Sequence, residues 1–182
     1  MKIFAETKRF ILREILPTDI DGMFELHSDP EVHKYLGNKT VTSKEQIIDI
    51  INFVRKKYID NGIGRWAIID KKTNEFIGWT GLDFVTEETN RHINYYDLGY
   101  RLNKRFWGQG IATETALASL EYAFNILNVN EVFARADCEN TGSNRVLKKT
   151  GLKFIEIFDH EGVRHNWYKI DRKEFETKKP DR

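Results

Sequence analysis

At 182 residues, with 40% hydrophobic and 31% charged side chains, the chain has room for one compact domain with an ordinary core and none for a second full domain. Its formal net charge of +1 offers no basic excess for nucleic acid, and no apolar run approaches the roughly 20 residues that a bilayer crossing needs. The single cysteine, Cys138, excludes an internal disulfide, and residues 1–10 lack the unbroken apolar centre of a signal peptide, so a cytoplasmic protein without membrane partners is expected.

Taken in chain order, "KRFILREILP" is rich in large apolar and β-branched residues and closes at Pro17, which predicts a first strand over about 8–16. A short helix over about 18–28 and a turn behind Pro30 follow. In "TSKEQIIDIINFVRKKYIDNG", Ser43 can cap a helix whose Ile47, Ile50, Ile51 and Val54 recur at helical spacing, and Asn61-Gly62 ends it. Three strands come next, "GRWAIID", "EFIGWTGLDFV" and "INYYDLGYRL", with links short enough for an antiparallel meander. A helix over about 109–126, the strand "NEVFARA", a helix in "NTGSNRVLKKTG" and a hairpin turning at Glu161-Gly162 complete the pattern, and the terminal "ETKKPDR" reads as frayed. This is an α+β order with one central βαβ unit, and it contains no internal repeat, linker or low-complexity block.

The stretch "RFWGQGIATE" at 105–114 carries the chemistry. Gly108 and Gly110 let the main chain turn and expose N–H groups directly ahead of a helix, whose start offers unpaired donors and a partial positive charge, so the segment suits a phosphate. It is no P-loop, because the Gly-Lys-Ser/Thr ending is missing. A dinucleotide fingerprint would want an acidic residue at the far end of the next strand, whereas Glu131 lies at its near end.

Arg105-x-x-Gly108-x-Gly110 matches the Arg/Gln-x-x-Gly-x-Gly/Ala signature of the GNAT superfamily of acetyl-CoA-dependent N-acetyltransferases. "LGYRLNKRFWGQGIATE" and "ENTGSNRVLKKTGLKF", with "TKRFILREILPTD" and "DPEVHKYLG" before them, resemble the RimJ/RimL branch over nearly the whole chain. The resemblance implies an α/β/α GNAT fold with a mixed, mostly antiparallel sheet of about seven strands, splayed at the cofactor site, and about four helices. It implies a single domain over 1–175 with a tail at 176–182, and acetyl-CoA as cosubstrate without a metal.

For the site it implies the following roles. The diphosphate would meet the main chain of Arg105, Phe106, Trp107, Gly108, Gln109, Gly110, Ile111 and Ala112, with Thr113 able to add a hydroxyl. The pantetheine arm would pair with the strand edge at Tyr100, Arg101 and Leu102 and with Asn140 across from it, though Asn140 also suits a helix cap. Asp97 would act as base, directly or through water, or would pair a neighbouring arginine. Ser143, which would also border the cofactor, or Tyr168, would protonate the leaving thiolate.

The acceptor implied is a primary amine, either a protein N-terminus or a small amine such as a polyamine or antibiotic. A catalytically silent acyl-CoA sensor is the competing reading, and a homodimer is left open. Cys138 has no His or Asn constellation, His160 and His165 suit a solvated hairpin, Trp66 and Trp79 suit the core or an acceptor groove, and Glu87 and Glu88 suit a solvated loop.

Overall fold

The computed structural model describes residues 1–177. Eight strands form one sheet: β1 (Ile3–Glu6), β2 (Phe10–Glu14), β3 (Arg65–Asp70), β4 (Phe76–Val85), β5 (Tyr95–Leu102), β6 (Glu131–Asp137), β7 (Lys153–His160) and β8 (Val163–Asp171). Their spatial order is β1-β2-β3-β4-β5-β6-β8-β7. Neighbours are antiparallel except β5 and β6, which run parallel because a helix joins them. The predicted meander is thus β3 to β5, and the hairpin β7–β8 places its second strand against β6.

The helices are α1 (Ile20–Ser28), α2 (Pro30–His33), α3 (Lys44–Asn61), α4 (Ile111–Asn125), α5 (Thr141–Lys149) and α6 (Arg172–Thr177), with 3-10 turns at Pro17–Asp19 and Lys104–Phe106. Ser43 caps α3 as its sequence predicts: Gln46 Oε1 accepts from the Ser43 N–H at 3.2 Å, and Gly62, left-handed at φ 69°, returns its N–H to Tyr58 O at 3.1 Å. The α1 and α3 residues Met23, Ile47 and Ile51 pack with Ala67 and Ile69 on one side of the sheet. On the other side Ala116, Leu120 and Phe124 of α4, Leu147 of α5 and Phe175 of α6 close over Trp66, Ile68, Leu82, Leu98 and Tyr168.

Two strand and helix expectations change. β1 is an added strand: Ala5 pairs with Leu12, and Glu14 N–H reaches Lys2 O at 3.0 Å, long-range pairing that four residues with little alternation do not announce. The predicted tail begins inside a helix, since α6 runs to Thr177. Asp171 and Glu174 exchange main-chain caps at 2.8 and 3.0 Å, and Phe175 stacks on Phe124 at 4.8 Å. Residues 178–182 lie outside the described residues. The sheet therefore has eight strands rather than about seven, with six helices rather than about four.

Asn144 ties the second half together. Its Nδ2 donates to Asp137 O and Asn140 O, both at 2.8 Å, while its Oδ1 accepts from Asn166 Nδ2 and Tyr168 Oη, both at 2.7 Å. The start of α5 is thereby fixed to the end of β6 and to β8. Replacing Asn144 with Leu strands several buried polar groups, so Asn144→Leu should lower unfolding free energy by about 2–3 kcal/mol. Urea unfolding checks this; a midpoint that does not move would contradict it.

Candidate active site

Pairing between β5 and β6 is registered at a single position, Asp97 opposite Phe133. Beyond it the two strands diverge, although β5 keeps its register with β4 as far as Leu102 and β6 keeps its register with β8 as far as Asp137. A wedge-shaped gap results, open toward the C-terminal ends of both strands. Leu102 O accepts from Trp107 Nε1 at 2.9 Å, and Thr80 Oγ1 donates to Gly99 O from the β4 side at 3.4 Å. Strand alternation then turns the main-chain N–H and C=O of Tyr100 toward the gap. Of the three residues expected at this edge, Arg101 turns its main chain to β4, while Tyr100 and the Leu102 N–H turn to the gap; the Leu102 carbonyl is taken.

At the mouth of the gap lies the glycine segment. Gly108 and Gly110 adopt left-handed φ values of 76° and 73°, which other residues take only with strain. No side chain caps α4, and among the described residues the N–H groups of 108–113 have no hydrogen-bond partner. Six consecutive donors, at residues 108 to 113, therefore stand without a protein acceptor ahead of and within the first turn of α4. The expectation for Phe106 and Trp107 is corrected in part: their N–H groups close the 3-10 turn onto Asn103 O at 2.9 Å and Lys104 O at 3.1 Å. Arg105 spends its guanidinium on Glu25 and, at 2.5 Å, on Glu75, so it braces the turn. Ile111 is buried, while Ala112 and Thr113 are half-buried beside the exposed Gln109.

Sequence reading missed Arg9, which holds this segment from 100 residues away in sequence. Its Nη2 donates to Gln109 O at 3.1 Å and its Nε pairs with Glu114 at 2.7 Å. A lone arginine in the short link between β1 and β2 carries no local signal of such a role.

The opposite wall is the start of α5. Asn140 Oδ1 caps it, accepting from Ser143 N–H at 3.0 Å, as the simpler reading of Asn140 requires. Tyr100 crosses from β5 to meet Ser143, its hydroxyl 3.0 Å from both Ser143 O and Ser143 Oγ. A phenol has one proton. With that proton on the Ser143 carbonyl, the serine hydroxyl donates to the tyrosine oxygen at rest, and it is the serine proton that can turn to another acceptor. Burial pushes the Tyr100 phenol well above its ordinary range, so it stays protonated. Tyr168 does not join them: it is 1% exposed and its hydroxyl is spent on Asn144.

On the α1–α3 side of the gap, Asp97 pairs with Arg65, whose Nη1 also donates to Asp97 O at 2.8 Å and Gly81 O at 2.7 Å. Gly99 makes this possible, because a Cβ there would lie 2.7 Å from the guanidinium carbon. Of the two roles expected for Asp97, the structure displays the arginine partner. Asp83 is likewise paired, with Lys57 at 2.5 Å. Arg101 runs over the Trp79 ring at 5.1 Å and reaches His27 Nδ1 at 3.2 Å. Burial, then Arg101, then His33 bring the His27 pKa down to about 3, and burial and Arg101 lower that of His33 against the pull of the Lys39 main chain and Asp29.

The remaining candidates keep their modest roles. Cys138 sits 3.5 Å from Asn166 Oδ1 with no base beside it, and His160 and His165 face each other across the hairpin at 6.0 Å. Among the described residues no group of three His, Cys, Asp or Glu side chains is placed to hold a metal ion. No helix among them is long and apolar enough to cross a membrane.

The depressed His27 pKa has a stability consequence with a definite sign. Unfolded His27 takes up a proton near pH 6.5 and the folded one only near pH 3, so acid favours the unfolded chain. Stability should fall as pH drops below about 6.5, by about 2 kcal/mol from this one group between pH 7 and pH 5. His27→Gln, which keeps an acceptor for Arg101 but does not titrate, should flatten that part of the slope in urea melts; an unchanged slope would refute the assignment.

The comparisons with known proteins agree with this geometry. The sequence matches the acetyltransferase (GNAT) domain family over residues 9–153. It is 31% identical over 163 residues to the uncharacterized N-acetyltransferase p20 of Bacillus licheniformis, covering 90% of this chain and 86% of that protein. Two solved structures share the fold. One is spermidine N-acetyltransferase from Vibrio cholerae in complex with CoA and spermine, with TM-score 0.74, 16% identity and coverage of 93% of this chain and 99% of that one. The other is Mycobacterium smegmatis RimJ in complex with CoA-disulfide, with TM-score 0.74, 19% identity and coverage of 91% and 83%. The match spans most of the chain and takes in both the glycine segment and the start of α5, and the chain accordingly belongs to the GNAT family, as an acetyl-CoA-dependent N-acetyltransferase.

Proposed function

We propose that the protein carries acetyl from acetyl-CoA directly to the primary amine of a protein N-terminus or a small molecule, within a ternary complex, and that it sits in the RimJ/RimL-like branch. The observation that carries the mechanism is the Ser143–Tyr100 hydroxyl pair on the wall facing the free Tyr100 main-chain edge. Six N–H groups without a protein acceptor at 108–113 suit a diphosphate, with Thr113 in reach to add its hydroxyl. The Tyr100 main chain suits one amide of pantetheine, which hydrogen-bonds as a peptide does. Arg105, Phe106 and Trp107 act on the cofactor by holding the turn, and Leu102 and Arg101 by extending the edge strand.

In the reaction the amine nitrogen bonds to the carbonyl carbon and the C–S bond breaks. The amine gives up one proton and the thiolate gains one, so the site must lose the first and supply the second. Ser143 supplies it when its hydroxyl turns from Tyr100 to the sulfur, and the proton released by the amine, passed on through water, restores the serine while Tyr100 keeps its own. Asp97, held by Arg65, is a poor direct base, and it orders water rather than touching the amine. That suffices for an amine of low pKa: freeing an α-amino group at pH 7 costs about 1 kcal/mol, against about 4.6 kcal/mol for a lysine amine. The lack of an activated nucleophile around Cys138 supports transfer without an acyl-enzyme. The RimJ structure is a neighbour in keeping with this branch, while the spermidine enzyme is a neighbour on the small-amine side.

Two substitutions test the assignment. Ser143→Ala should reduce kcat about tenfold or more in a thiol-release assay while leaving the calorimetric Kd for acetyl-CoA within about twofold; equal loss of both would make Ser143 a shaping residue. Gly110→Ala forces a Cβ onto a left-handed position, at a cost of about 1–2 kcal/mol. It should weaken coenzyme A binding about tenfold, and unchanged binding would remove the diphosphate from that turn.

A further inference from the structure

Where α1 and α2 meet the end of β5, hydrogen-bond donors gather without an acceptor. A guanidinium can only donate, so His27 Nδ1, 3.2 Å from Arg101 Nη1, is the accepting nitrogen of that ring. The proton of the neutral imidazole then sits on Nε2, which is buried and bonds nothing. His33 stands beside it, ring centroids 5.5 Å apart, and is also buried; the Lys39 main-chain carbonyl lies near its ring but outside good hydrogen-bond geometry. Neutral imidazole always carries one N–H, so His33 adds a second, poorly satisfied donor. Arg101 completes the group. Arg13, Arg65 and Arg105 each meet a carboxylate, but among the described residues Arg101 pairs with none.

Buried donors are normally satisfied, and a partly buried cation normally finds a counter-charge. Here one cation and two N–H groups lack the same thing, an acceptor bearing negative charge. Water could accept the hydrogen bonds but would leave the charge unbalanced.

We propose that Arg101, His27 and His33 form a subsite for an oxyanion, a carboxylate or phosphate group carried by a small acceptor, so that the substrate class is an amine that also bears a negative charge. The proposal rests on the acetyl-transfer reading and narrows its acceptor. Its geometry fits that use: Arg101 belongs to the strand that borders the gap, and at about 3.3 Å per residue its Cα lies within about 7 Å of Gly99. Its side chain leaves on the face away from α4, the face that also bears Asp97 and Arg65. An acceptor amine entering there has its anionic end within reach of the guanidinium. A polyamine would instead set an ammonium against Arg101.

The test compares matched amines in a thiol-release assay with the full chain: alanine against alaninamide, and 2-aminoethyl phosphate against ethanolamine. The first pair reads a carboxylate and the second a phosphate. Wild type should show at least a tenfold lower KM for the charged member of one pair, and Arg101→Gln should bring that ratio within threefold. In parallel, calorimetry with N-acetylalanine and with inorganic phosphate, coenzyme A present, should give saturable binding of one of them, at least tenfold weaker in Arg101→Gln and in His33→Phe. Equal use of both members of each pair, or no binding by wild type, would overturn the subsite, as would binding that both variants retain. If binding depends on Arg101 but no amine in the panel releases thiol, the subsite stands and the acceptor reading fails. If thiol is released without charge preference, the reverse holds.

Discussion

The structure depends on one place where two parallel strands stop bonding. β5 remains paired with β4 over its whole length, and β6 remains paired with β8 over its own, yet the two halves of the sheet meet at Asp97 and Phe133 alone. The molecule is therefore a five-stranded and a three-stranded sheet hinged on one bridge. Unpaired strand edges are costly unless something hydrogen-bonds to them. A slender, amide-like group would satisfy this one, which is the part proposed above for pantetheine. Two props keep the gap from closing: three of the four hydrogen bonds of Asn144 hold α5 to the three-stranded half, and Tyr100 spans the wedge to reach Ser143. The element that holds the walls apart also places a hydroxyl between them.

Charge is arranged differently on the two faces. Toward α4 the donors are main-chain N–H groups at a helix start, positioned by left-handed glycines and steadied by Arg9 through Glu114 and the Gln109 carbonyl. They act as fixed dipoles and need no side chain that could titrate. On the α1–α3 face, in contrast, side-chain charges dominate and nearly all are paired: Asp97 with Arg65, Asp83 with Lys57. Among the described residues Arg101, like Arg55 of α3, meets no carboxylate, and the burial around Arg101 holds His27 and His33 neutral beside it.

Most of the architecture was legible because it rests on local patterns. The capping box at Ser43, the Gly62 stop, the alternation of β3 to β5 and the glycines before α4 are all signals within a few residues of the feature they set. The failures are non-local. β1 exists through pairing with β2, and α6 through the stacking of Phe175 on Phe124, 51 positions away by sequence number. At the site, the glycine turn and Ser143 could be placed from motif order. The Tyr100 side chain could not, because a strand tyrosine looks the same whether it fills a core or reaches a helix start. Nor could the cluster of His27, His33 and Arg101, whose members lie on three separate elements. Trp107 shows the same limit in miniature: its indole takes the Leu102 carbonyl, a local contact that removes part of an edge expected to be free.

The pairing of acids on the acceptor face bears on how an amine loses its proton. Both acids on this face already hold a cation, Asp97 with Arg65 and Asp83 with Lys57, so neither carboxylate is free to turn to an ammonium. A cationic neighbourhood does the work differently. Like charge disfavours the protonated form, and an amine brought beside Arg101 has its own pKa lowered by it, while Arg65, neutralised by Asp97, adds little. For an α-amino group, which at pH 7 is only about 1 kcal/mol from neutrality, a modest repulsion is enough. For a lysine or a polyamine nitrogen the same repulsion falls short and also opposes binding. An oxyanion on the acceptor removes the obstacle to binding, since its attraction to Arg101 outweighs the repulsion of the amine; it also offsets the charge of Arg101, so the ammonium proton has to leave to water at the reacting end.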